Sequence, residues 1–360
     1  MKLKLGFKIL IIVVATIIVL FLGSLILYES NISAVSSESV PVEFKIEKGT
    51  TPNGVIPKLK EADLIKSEFF SKIYVKLNGI SSIHEGVYEL NKNMNLKEIF
   101  ETISDIKNKK ANTSTITFHE GKNMRSYAKL IAENTKVTEE DFLNTLKDKD
   151  YLRTLINDYW FLTEDILNDS IYYSLEGYLA PDTYEFMKDE VTAKDIIKTL
   201  LDQEEKVLDK YKDKIASTGF TLHQVMTLAS IAELEGNTLD NRKNIVGVFI
   251  NRLNNNIPLG SDVTTYYGAK INMGDRDLYQ DEILDENPYN TRPFSSAGRL
   301  PVGPICNPSS EAIDAVINYI PNSYFYFVAD KNGDIYFAET EDEHTDIIDD
   351  LKEKGLWYEY

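Results

Sequence analysis

The sequence predicts an α+β protein carried on one N-terminal transmembrane helix, with a small α+β domain followed by a larger mixed α+β domain. Three observations predict it. Residues 9–28 are a 20-residue run without a charge. Short stretches near residues 42 and 85 alternate apolar and polar residues, the period of a half-buried strand. From residue 123 onward apolar residues recur at helical spacing, until a strand-like pattern returns after residue 320.

Composition narrows the function classes. With 360 residues, 43% hydrophobic and 27% charged, the chain is ordinary globular material and wholesale disorder is excluded. The net charge of −18 offers no basic footprint for nucleic acid and argues against electrostatic capture by an anionic membrane surface. One cysteine, Cys306, allows no intrachain disulfide and no Cys-rich zinc site, and reads as a small buried hydrophobe. The four histidines (His84, His119, His223, His344) are scattered and form no H-E-x-x-H pattern. No phosphate-cradling glycine loop and no G-x-S-x-G elbow occurs, so no cofactor or metal is expected.

The elements follow in order. Residues 1–8 are a basic tail with Lys2, Lys4 and Lys8, and the first acidic residue is Glu29. The uncharged run 9–28 spans about 30 Å, a bilayer core. The positive-inside rule then places the N-terminus in the cytoplasm and the remainder outside the cell membrane. A cleaved signal peptide has a shorter apolar core of ~7–15 residues and a small-x-small cleavage site, which the flank Glu29 to Ala34 does not offer. The Ser-rich residues 29–41 read as a linker. Residues 42–105 form the small domain: a strand Val42–Ile46, a helix within Asn53–Leu64, a strand Glu85–Leu90, and a helix capped by Asn95. A polar connector leads to the larger domain, 113–347, and residues 348–360 read as a C-terminal tail. Tyr324–Ala329 and Asp334–Ala338 flank Asp330-Lys-Asn-Gly333, a hairpin signal. Its alternating Asp330, Asn332 and Asp334 resemble a calcium loop, but Ile335 stands where that loop requires glycine.

What chemistry remains is that of carboxylates. Thr221 to Gly236 reads as one buried helix: Thr221 and Gln224 make a capping box, Gly236 is placed as a left-handed terminator, and the residues between are apolar on nearly every face. Glu233 lies in its last turn, with Ser230, Ala229 and Met226 on its own face. Desolvation and the negative end of the helix dipole both favour the protonated acid, the form a general acid for glycosidic cleavage requires. The competing reading is an ion pair of Glu233 or Glu235 with Arg242 or Arg252.

These motifs resemble the endolytic murein transglycosylases, the YceG-like family of bacterial, membrane-anchored enzymes. Leu175-Glu-Gly-Tyr-Leu-Ala-Pro-Asp-Thr-Tyr184 is similar to its E-G-Y-L-x-P-D-T-Y signature. Ala229-Ser-Ile-Ala-Glu-Leu-Glu235 is similar to the stretch whose first glutamate is catalytic, which is Glu233 in this sequence. Val248 to Leu253, Ser261-Asp262, Tyr267-Gly268, Pro288 to Thr291, Leu300-Pro301, Gly303 to Ile305, Asn307-Pro308 and Tyr326 to Ala329 follow in the family's order. The resemblance implies a LysM-like small domain and a YceG-like catalytic domain. It implies lytic cleavage between N-acetylmuramic acid and N-acetylglucosamine of nascent peptidoglycan, leaving 1,6-anhydro ends and limiting strand elongation. Glu233 acts as acid and then as base.

Glu235 is expected to orient substrate, and Asp262, Tyr267 and Asn290 to line the substrate cleft. Glu176 and Asp182 are expected to be architectural. Partners so implied are glycan strands, the plasma membrane through residues 9–28, and peptidoglycan synthases. Val263, Arg292, Val302, Ser309 and Ile335 depart from the family pattern, and none is expected to touch Glu233. The alternatives are a hydrolase that admits water, and a membrane-anchored cell-wall scaffold or glycan-binding protein without catalysis.

Overall fold

The computed structural model describes residues 5–110 and 112–357, with side chains from Leu10 onward. The first four residues of the expected basic tail therefore lie outside the described residues. The chain divides into two compact units, residues 1–112 and 113–360.

In the first unit, α1 (Leu5–Ile32) is a single helix, and its Leu10–Ile32 stretch is long and apolar enough to cross a membrane. The helix does not stop at residue 28. Its last turns continue because Tyr28 and Ile32 pack against the core of the small domain. The Ser-rich stretch after it, expected as a linker, is tied down: Ser36 N donates to Lys92 O (3.0 Å) and Val40 N to Asn91 Oδ1 (2.7 Å).

β1 (Pro41–Ile46) pairs antiparallel with β2 (Gly86–Asn91), Phe44 opposite Tyr88. Between them lie α2 (Ile56–Glu61) and α3 (Glu68–Leu77), and α4 (Leu96–Ser104) follows. A two-stranded ribbon is marginal alone. Here Val55, Ile56, Leu59, Tyr88, Leu90, Ile99 and Phe100 bury its inner face under the helices. α2 is shorter than its apolar spacing suggests, since the chain before it turns at residues 52–54 and Pro57 stands in its first turn. Asn95 caps α4 in a full capping box with Glu98.

The second unit begins with β3 (Thr113–Thr117), whose antiparallel partner β4 (Thr183–Met187) returns after α5 (Met124–Asn134), α6 (Glu139–Thr145) and α7 (Lys149–Asp158). β4 alternates polar and apolar residues but was hidden in a stretch read as helical. α8 (Ala193–Leu208), α9 (Lys212–Ile215), α10 (Leu222–Glu235), α11 (Leu239–Asn254), α12 (Asp262–Gly268), α13 (Gln280–Leu284) and α14 (Ser310–Ile317) follow. The hairpin β5 (Tyr326–Ala329) and β6 (Ile335–Ala338) turns as expected, and α15 (Glu341–Glu353) runs through the expected domain end at residue 347. Asp330 serves the turn: its buried carboxylate accepts from Asn332 N and Asp334 N (2.8 and 3.0 Å).

α10 lies at the centre of the core. Val225 to Ala232 are all buried, and the Thr221–Gln224 box closes its N-terminus (Gln224 N to Thr221 Oγ1 3.2 Å, Thr221 N to Gln224 Oε1 2.9 Å). Loss of such a cap costs about 1 kcal/mol. Thr221→Ala should therefore lower the thermal midpoint of the second unit by roughly 2–4 °C, read by circular dichroism.

Candidate active site

The end of α10 presents two carboxyl groups. Glu233 sits two residues before the helix's last residue, and its side chain is 8% exposed. Oε1 accepts from Arg242 Nη2 at 2.9 Å. Oε2 accepts from Ser309 N at 2.9 Å and from Ser309 Oγ at 2.5 Å. The apolar niche expected around Glu233 is thus not what surrounds it. Its face of α10 is apolar, but elements distant in sequence bring donors to both oxygens, one of them charged. The ion pair with Arg242 is formed. Ser309, the N-cap of α14, touches Glu233 directly, contrary to the expectation that none of the departures from the family pattern would.

Two glycines make room. Gly236 does not adopt the left-handed conformation expected of it: φ is −112° and ψ 134°. Its role is close approach, since a Cβ would lie 2.6 Å from Arg242 Cγ and 3.0 Å from Arg242 N. The missing side chain lets Arg242 fold back over the helix end, where Nε donates to Gly236 O (3.0 Å). Gly121, at φ +71°, turns the chain beside the end of α10, and a Cβ there would crowd Leu234 Cδ2 at 3.3 Å and touch Glu233 Cγ at 3.7 Å.

Buried polar groups hold the walls. Ser230 Oγ accepts from Ile305 N (3.0 Å), and Cys306 is buried, its Sγ donating to Ser230 O (3.2 Å). Asn307 joins three segments: its Oδ1 accepts from Gly177 N and Leu179 N (3.0 and 3.1 Å), its N donates to Lys122 O, and its O accepts from Gly121 N. Glu176 is fully enclosed, accepting from Met124 N (2.9 and 3.0 Å) and Tyr267 OH (2.9 Å). Asp182 bonds Thr183 N and Gln203. A pocket of about 240 Å³ opens between Gly121–Ser126 and Val263–Met273, with Leu234 and Ile305 in its wall.

The other expected residues fall into different places. Glu235 is part-buried and accepts from Ser261 Oγ at 2.5 Å. Asp262, next in sequence to that serine, is half exposed and pairs with Arg292, another departure from the family pattern. Tyr267 offers its ring to the 240 Å³ pocket while its hydroxyl turns away to Glu176. Asn290 is buried, and its amide ties its loop to α12 and α13, donating to Ile283 O (3.0 Å) and Asp285 O (2.7 Å) and accepting from Thr265 Oγ1 (2.8 Å). Sequence reasoning missed Ser309 as a contact. The signal present was that a Ser-x-x-Ala opening an apolar helical stretch places a hydroxyl and a free N–H at a helix start.

These features define a class: a mixed α+β protein whose candidate site rests on carboxyl groups gathered at the end of one buried helix. Among the described residues no group of three or more His, Cys, Asp or Glu is placed to hold a metal. The sequence profile of the YceG-like family matches residues 44–350, and the chain belongs to that family. It is 34% identical over 328 residues to an endolytic murein transglycosylase of Bacillus subtilis, covering 90% of this chain and 89% of that one. It is 31% identical over 344 residues to an endolytic murein transglycosylase of Streptococcus pneumoniae, covering 90% of this chain but 59% of that longer one. The crystal structure of a yceG-like protein from Listeria monocytogenes superposes with a TM-score of 0.61 at 29% identity, covering 86% of this chain and all of the other.

Burial pushes three carboxyl groups up: Glu176 and Glu235 to about 7, and Glu204, on α8, to about 8. Hydrogen bonds from Met124 N and Tyr267 oppose the shift at Glu176, as Ser261 does at Glu235. Each value lies above the unfolded-state value of about 4.3. Their stabilising contribution is thus complete below that value and is lost as pH rises through 7 to 8. Thermal unfolding followed from about pH 5 to about pH 9 should show the midpoint falling less steeply in Glu204→Gln than in the parent.

Proposed function

We propose that this chain cleaves glycan strands of peptidoglycan as a lytic transglycosylase, with Glu233 as the residue that moves the protons. Membership of the YceG-like family, and relatives named endolytic murein transglycosylase, support the activity. The observation that carries the assignment of Glu233 is its setting. It is a carboxyl group at the end of a buried helix, held through both oxygens by Arg242 and Ser309, with the Gly121 turn packed beside its Cγ.

In this reading Glu233 enters the cycle protonated and gives that proton to the glycosidic oxygen as the bond between N-acetylmuramic acid and N-acetylglucosamine breaks, leaving the carboxylate that Arg242 and Ser309 hold. Glu233 then accepts the proton of the muramic acid C6 hydroxyl, whose oxygen closes onto C1 to give the 1,6-anhydro end. No water is consumed, and the nucleophile belongs to the substrate, so the reaction gains the effective concentration of an intramolecular attack. Arg242 and Ser309 hold the carboxylate in place and stabilise its charge between the two transfers. Glu235, held by Ser261, orients substrate on the same helix end, and Asp262, Tyr267 and Asn290 belong to the walls of the cleft. A second enzymic carboxylate at the separations used by hydrolysing glycosidases, about 5–9.5 Å, is not required.

The remaining proposals concern place and partners. α1 anchors the chain in the cell membrane with its N-terminus in the cytoplasm and the catalytic unit outside. There it limits the length of nascent strands in company with peptidoglycan synthases. The small domain is read as LysM-like, a holder of glycan or of a partner protein.

Glu233→Gln should reduce release of fragments from purified peptidoglycan by roughly 10²–10⁴-fold while the chain stays folded. Mass spectrometry of the parent's products should show anhydro-muramic ends. Reducing ends would assign a hydrolase, and cleavage undiminished in the variant would remove Glu233 from the chemistry. Arg242→Met should slow cleavage by roughly 10²-fold with binding of undigested strands little changed, compared in kinetic and pull-down assays.

A further inference from the structure

α3 carries an unusual face for so acidic a chain. Phe69 is 67% and Leu77 71% exposed. On a helix these two lie on the same side as Lys72 and Lys76, both exposed, with Lys72 only loosely paired to Glu68 at 3.7 Å. The opposite side, Ser71, Tyr74 and Val75, is buried in the small domain's core.

The position of α3 relative to α1 gives this face a partner. Just before α3 begins, Lys66 Nζ donates to Ser33 Oγ at 2.8 Å and to Ser30 O at 3.2 Å. Phe70 meets Tyr28 edge-on at 6.3 Å, and Phe69 packs on Phe70 at 5.3 Å. Further along α3, Tyr74 and Asn78 line one pocket with Glu29, Ile32 and Ser33. Both ends of α3, about 15 Å apart, therefore face the stretch Tyr28 to Ser33 at the end of α1, which rises only about 7.5 Å. α3 lies across α1, not along it, at the level of Tyr28 to Ser33, where the uncharged run ends.

We infer that α3 rests on the outer leaflet of the bilayer that α1 crosses, with Phe69 and Leu77 in the headgroup–acyl boundary and Lys72 and Lys76 among anionic headgroups. The inference rests on the reading of α1 as a membrane anchor. Tyr28, Phe70 and Phe69 then form one aromatic belt at the point where the span leaves the bilayer, the depth at which such rings are favoured. The lysine side chains run beside the apolar ones with their charges free to reach phosphate. The overall charge of −18 does not oppose this, because salt screens charges more than about 8–10 Å away.

The test uses the full chain in nanodiscs of phosphatidylcholine and phosphatidylglycerol. Single cysteines at Phe69, Leu77, Leu20 and Glu47 carry a nitroxide, the native Cys306 being buried and so unlabelled. Collision of each label with oxygen and with a water-soluble nickel chelate is compared. The expected result is an oxygen-to-nickel ratio several-fold higher at residues 69 and 77 than at residue 47, an exposed site on the same domain, with residue 20 higher still. A high ratio at residue 20 with residues 69 and 77 equal to residue 47 overturns the inference and leaves the anchor standing. A low ratio at residue 20 overturns the anchor and the inference with it.

Discussion

A helix enclosed on nearly every side can carry a polar side chain only where some element supplies its partner. α10 carries four. Thr227 turns back to its own helix, donating to His223 O at 2.7 Å. The other three recruit from outside: Ser230 draws in Ile305 N, Glu233 draws in Ser309 and Arg242, and Glu235 draws in Ser261. The recruited residues belong to three stretches of chain, at Arg242, at Ser261 and at Ile305 to Ser309, and together those stretches form the walls around the helix end. Satisfying the buried helix and assembling the candidate site are therefore one problem with one solution. The cost of leaving such a group without a partner, about 1–3 kcal/mol each, is what enforces it.

Much of the frame was legible because its signals are local. The uncharged run gave α1, Thr221 and Asn95 announced their helices three residues in advance, and Asp330 to Gly333 announced its turn. Glu233 was singled out by its neighbours one turn back and by the family resemblance. What surrounds it was not legible. Ser309 lies 76 positions further on, and no pattern within a helical turn reports that a distant N-cap will dock on a carboxylate. The apolar face of α10 therefore suggested a dry niche where the fold instead brings Arg242 and Ser309. Gly236 was misread for a related reason. A glycine after a helix usually marks a left-handed turn, and only the path of α11 reveals that here it makes room for a guanidinium.

The enclosed carboxyls show the same dependence on tertiary structure. Glu176 reads in sequence as part of a signature, yet its work is to receive Met124 N at the start of α5 and the hydroxyl of Tyr267 on α12. Tyr267 in turn packs its ring against Tyr172 and Tyr289. A residue assigned to the cleft and a residue assigned to the scaffold thus share one hydrogen bond. The division between site and frame runs through side chains and not between them.

α1 enters the small domain without a break, its final turn already part of that domain's core. Helical geometry then sets the heading of the domain as well as its height. One residue inserted into α1 before Tyr28 would turn the small domain by about 100° and raise it by about 1.5 Å relative to the start of the helix, whereas seven would restore nearly the original azimuth. The length of the helix, counted in residues, is thereby a compass bearing.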